Sequence, residues 1–130
     1  MGIFLTRYLP ALIWAALIAA ALLTTGDSVD DVGAWLEIPE WLRTWVDRAA
    51  HLGLFLVLAL LVRRCFQGTS GDWGAAIKTL AATLLYIVIL EAAQTRIPGR
   101  GWESQDVVVG IAGVLMALYL SQRYQTWRSV

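Results

Sequence analysis

Between Leu5 and Leu23 the chain runs for about one membrane thickness with a single charge, Arg7. Three further apolar runs follow: Ala49 to Val62, closed by Arg63-Arg64; Ala75 to Leu90, broken near its start by Lys78; and Val107 to Leu120. Nothing else in the sequence restricts the fold as strongly. Charged residues are 15% of the chain, against about 25% in a soluble domain, and hydrophobic residues are 58%. Too little polar side chain is left to cover a globule in water, and the hydrophobicity excludes a disordered chain. Seven Trp suit a bilayer, where indole rings collect at the interfaces. A net charge of zero gives no footprint for nucleic acid, and one Cys cannot form an internal disulfide.

The expected architecture is all-α: one domain, residues 1–130, built as an integral membrane bundle of four transmembrane helices. A competing reading of the first run is a signal peptide, with Ala19-Ala20-Ala21 as the small-residue cleavage site. Fourteen apolar residues rise only about 21 Å, short of the roughly 30 Å hydrocarbon core. The shorter runs are therefore either re-entrant pieces or spans that draw their polar neighbours into the membrane edge. Spanning is the reading adopted. Ala11, Ala15 and Ala19 form a stripe of small side chains on the first helix that lets another helix come close.

Between the first and second runs, Ile38-Pro39-Glu40-Trp41 reads as a helix start, with Pro39 at the first position. Trp41 and Trp45 share a face, with Leu42 and Val46 beside it. This predicts a short amphipathic helix lying in the interface before the second span. Ile97-Pro98-Gly99-Arg100 suits a type II turn. With four spans both termini lie on one side. That side carries six basic residues (Arg7, Arg63, Arg64, Lys78, Arg123, Arg128) against four on the other, and only one of the ten acidic residues. The basic bias places both termini in the cytoplasm of a multi-pass plasma-membrane protein.

Ionisable groups at the edge of a span are costly and mark functional sites. Asp47 and His51, four apart, share one helical face, and so do Glu91 and Gln94, three apart. Arg100 and Asp106 come to the same membrane face. Each also has a structural reading: Asp106 as a charge at a helix N-terminus with Ser104 as cap, Glu91 as the ion-pair partner of Arg96 or Arg100, His51 bonded to a carboxylate, and Gln94 bonded to loop carbonyls. A Cys–His dyad fails, because Cys65 lies about 21 Å along the same helix from His51. A Gly-x-Ser-x-Gly elbow and a Gly-rich phosphate loop are both absent. One His and no nearby Cys argue against a metal, and no cofactor is expected. Acid–base work by His51, Glu91 or Asp106, anion binding by Arg100, and proton relay all stay open.

In order and spacing these residues resemble the VanZ-like membrane proteins. Asp47-Arg48-Ala49-Ala50-His51 corresponds to that family's Asp-Lys-x-x-His, followed by Glu91-x-x-Gln94, the Pro98-Gly99-Arg100 turn, Asp106 and Gly113. The likeness covers about residues 47–113. Arg48 stands where the family has Lys, and Gly110 where it has Asn. The resemblance implies a small polytopic membrane protein, whose namesake is associated with resistance to the glycopeptide teicoplanin. It carries over Asp47, His51, Glu91, Gln94, Arg100 and Asp106 as ligand-binding positions. On that basis the expected function is a cell-envelope membrane protein. Its extracytoplasmic polar pocket would recognise a polar or anionic component, either a lipid-linked precursor or a glycopeptide. Arg100 would hold the anion, with His51 and Glu91 orienting it. The alternatives are an integral-membrane enzyme using His51 or Glu91 with Asp106 on a lipid-linked substrate, and a structural subunit whose polar network locks the helices. Membrane lipid is the expected partner in every case.

Overall fold

The computed structural model describes residues 2–24, 38–68, 71–98 and 101–128. Its elements are four helices: α1 Gly2–Thr24, α2 Glu40–Phe66, α3 Gly71–Gln94 and α4 Ser104–Arg128. All four are long and apolar enough to cross a membrane. Their polar ends extend the helices past the apolar runs. The second run is thus the middle of a helix of 27 residues, and 14 apolar residues need not span alone. A re-entrant reading of these runs finds no support in such lengths.

The expected separate interfacial helix is not present among the described residues. The Trp41–Val46 segment instead forms the opening turns of α2, continuous with the span, and Pro39 is its N-cap rather than its first helical residue. The physical reason lies at the junction. Asp47, Arg48 and His51 look like a break in apolar pattern, but no Gly or Pro stands there to stop the backbone ladder. The Trp41 and Trp45 rings remain exposed, as an interfacial face requires. At its other end α2 stops at Gly68, whose φ of 81° is the left-handed conformation that ends helices.

The core is a file of apolar side chains from all four helices. Ile18 of α1, Phe55 and Leu58 of α2, Ile87 and Leu90 of α3, and Val114 of α4 are buried together. Leu12, Leu17, Ile77, Leu85, Val108 and Leu115 point outward, which a bilayer solvates and water does not. The largest helix–helix contact joins α2 to α4. Its cause is Gly113: a Cβ placed there would sit 2.4 Å from the Leu52 carbonyl oxygen and 3.2 Å from the Leu56 nitrogen. Only a residue without a side chain allows the two backbones this close. Gly110, one turn earlier, is capped by the Phe55 and Ile87 side chains, each 3.1 Å from a Cβ there. With Ala117 buried beside them, these residues give α4 a face of small side chains that meets another helix.

On α1, Ala11 is buried and Ala15 and Ala19 are half-buried against the core. The Trp14 indole donates to the Leu54 carbonyl at 3.0 Å, and the Tyr86 hydroxyl donates to the Ala15 carbonyl. Thr79 and Thr83, fully buried on α3, return their hydroxyls to carbonyls one turn back at 2.7 Å, so neither strands a polar group in the core.

Candidate functional site

α2 and α4 run in the same direction, so the first turns of α4 lie beside the middle of the first half of α2. That register sets Asp106 against His51. The imidazole is buried, with 2% of the residue exposed. Its Nδ1 lies 3.1 Å from the Asp47 carbonyl oxygen. A carbonyl can only accept, so Nδ1 is the ring nitrogen that carries a proton here, and Nε2 is the one turned toward α4. Nε2 faces the Asp106 Oδ2 at 3.6 Å and has no hydrogen-bond partner. The Asp47 Oδ1 lies 3.7 Å from Nδ1, one helical turn below. The Asp47 side chain is half exposed and that of Asp106 largely covered. One imidazole thus stands between two carboxylates, and the charges of Glu103 and Glu91 also act on Asp106.

Glu91 and Gln94 come to the same end of the bundle, but each is already engaged by the fold. The Glu91 Oε1 accepts the backbone N–H of Glu103 at 2.6 Å, pinning the approach to α4. The Gln94 amide donates to the Leu22 carbonyl at 3.2 Å, tying the end of α3 to the end of α1. Both side chains are 4% exposed. Arg100 lies outside the described residues, and so does the second half of the Pro98-Gly99 turn. Among the described residues no arginine forms an ion pair with a carboxylate. Cys65 sits at the opposite end of the bundle from His51, with its thiol 3.2 Å from the Arg7 carbonyl oxygen.

Two features escape a reading by sequence pattern alone. The first is a groove of about 560 Å³ between α2 and α4, lined by Trp45, Ala49, Leu52, Val108 and Val109, with Arg48, Ser104 and Gln105 at its polar end. Arg48 donates to the Gln105 side-chain oxygen and stacks over the Trp45 ring at 5.9 Å. The i, i+3 spacing of Trp45 and Arg48 was the available signal. The second is Arg63. It reads as a flanking charge, yet it is 1% exposed, and all three guanidinium nitrogens lack a hydrogen-bond partner among the described residues. Pattern alone cannot separate it from the exposed Arg64 beside it.

Compared with known protein families, with characterised proteins and with solved structures, the chain matches none.

Proposed function

We propose that this is a VanZ-like cell-envelope membrane protein that holds an anionic amphiphile at the extracytoplasmic edge of the bilayer. The lipid-linked precursors of the envelope are the ligand class in view. The observation that carries this is the α2–α4 groove: an open apolar slot with a guanidinium at its polar end. An acyl or prenyl chain fits the Leu52–Val109 part, where apolar burial stabilises by about 25 cal/mol per Å². A phosphate or carboxylate fits Arg48, whose planar fork suits such groups and is already braced by Gln105 and Trp45. Asp47, His51 and Asp106 stand on the same two helices, outside the lining of the groove. A glycopeptide, being large and polar, suits this groove less well than a chain-bearing lipid.

The test uses hexadecyl phosphate and hexadecanol, added to the purified protein in micelles and followed by native mass spectrometry. The phosphate is expected to bind and the alcohol to bind at least about tenfold more weakly, a difference of about 1.4 kcal/mol for the charged contact. Arg48→Gln should remove that preference. Equal retention of both compounds would rule out Arg48 as the head-group residue, and retention of neither would rule out the groove.

A further inference from the structure

The pair His51 and Asp106 has the spacing of two ligands that share one ion. Nε2 faces a carboxylate oxygen 3.6 Å away and makes no hydrogen bond to it. That distance is far beyond the roughly 2.8 Å of a charge-assisted hydrogen bond. Two bonds of about 2.1 Å from a tetrahedral zinc ion end about 3.4 Å apart, close to what is found. The ligating atoms of Asp47, His51 and Asp106 all lie within 4.8 Å of one another. The backbone partner of Nδ1 is the second-shell arrangement that orients metal-bound histidines. The nitrogen left without a partner belongs to a residue 2% exposed, so water does not satisfy it from outside.

We infer that Asp47, His51 and Asp106 bind a divalent transition-metal ion, zinc being the best match to one imidazole nitrogen and two carboxylates. His51 contributes Nε2 and Asp106 the covered carboxylate; the half-exposed Asp47 carboxylate, 3.7 Å from Nδ1, turns from that edge of the ring to reach the ion. Counting residue types argues against a metal, because it finds one His and no Cys. The fold changes the count by bringing carboxylates from two helices to one ring. The ion also neutralises a site whose carboxylates would otherwise repel an anion. Three protein ligands leave a fourth position open for a phosphate oxygen. That last assignment rests on the amphiphile reading above; the metal site itself does not.

Protein purified in micelles and stripped with EDTA is titrated with zinc chloride by calorimetry, and zinc content is read by mass spectrometry. One zinc per chain is expected. Asp106→Asn, His51→Gln and Asp47→Asn should each weaken binding about 10–100-fold, and Asp72→Asn at the other end of the bundle should not. Asp47 is half exposed, so its variant is informative even where the buried ones fail to fold; helicity by circular dichroism identifies that case. No zinc taken up by folded protein overturns the proposal, and so does binding that all three variants keep. Hexadecyl phosphate binding that persists in EDTA, with no zinc uptake, removes the metal and leaves the groove. Zinc uptake with no hexadecyl phosphate binding does the reverse.

Discussion

His51 and Arg63 are buried on the same helix, about 18 Å apart along its axis, and they are treated in opposite ways. Around His51 the fold converges: a carbonyl on Nδ1, a carboxylate toward each ring nitrogen, and Glu91 and Gln94 satisfied nearby. Around Arg63 no partner atom is placed among the described residues, and the neighbouring charges at that end, Arg7, Arg64 and Lys78, have its own sign. Asp72, the described carboxylate at that end, is exposed. Arg63 does have one compensation, because it lies in the last turn of α2, where the helix dipole favours a cation. Burial of a charge therefore does not identify a site by itself. Convergence of complementary atoms from separate helices does.

The strongest way to break the His51 end is at Gly113, which sets the α2–α4 distance. Gly113→Leu pushes a side chain into backbone atoms that cannot rotate away. The expected loss is about 3 kcal/mol, the upper part of the overpacking range, measured by denaturant unfolding in micelles. Zinc affinity should fall with it, because His51 and Asp106 are held together by this contact. Gly53, with nothing within 4 Å of its Cβ position, is the comparison: Gly53→Ala should stabilise by about 0.5–1 kcal/mol. If Gly113→Leu is no worse than Gly53→Leu, the close approach does not position the site.

The Arg63 end answers in the other direction. Arg63→Met keeps a long side chain and removes a charge without partners, so stability should rise by about 2 kcal/mol, with zinc and alkyl phosphate binding unchanged. Thermal unfolding in micelles reads the first, and the titrations above read the rest. A drop in stability would show that Arg63 is neutralised by a group from lipid or from residues beyond those described, and the contrast between the two ends would vanish.

Between these effects and the smaller ones lies the question of what the sequence makes legible. The four helices are legible, since runs such as Leu5–Leu23 leave few other choices. The meeting of Asp47, His51 and Asp106 at one end follows from span counting, because alternate helices start on the same face. Side-chain commitment is not legible. Glu91 reads as a site carboxylate, yet its oxygen receives an amide 12 residues away, and spacing does not encode where a connecting loop turns back. The start of α2 is misread for a related reason: amphipathic and spanning stretches share one period, so a helix that passes from interface to membrane shows a change of composition and no break. Arg63 and Arg64 are adjacent and identical in type, and only three-dimensional packing makes one buried.

Glu91 gives the next test. Glu91→Ala leaves the Glu103 N–H without its acceptor, a loss of about 1.5 kcal/mol. Glu91→Gln keeps an oxygen acceptor and should lose less than about 0.5 kcal/mol. If the Gln variant instead keeps its stability and loses alkyl phosphate binding tenfold, the Glu91 charge belongs to the ligand site and not to the loop alone.

The smallest effect is expected at Gln94, and it decides which of the converging residues are site and which are scaffold. Its amide donates to the Leu22 carbonyl near the end of α1, where the helix has run out of its own donors for the last carbonyls. Removing it in Gln94→Ala should cost about 1 kcal/mol, the ordinary net worth of one hydrogen bond. The helix should stay in place, because α1 keeps other ties, among them Trp14 to the Leu54 carbonyl, Tyr86 to the Ala15 carbonyl and Arg7 to the Gln67 carbonyl. Zinc and alkyl phosphate affinities should therefore be unchanged, while hydrogen exchange at the end of α1 speeds up. A tenfold loss of either affinity with α1 exchange unaltered would mean that Gln94 turns toward the ligand. The boundary of the site would then have to be redrawn to include α3.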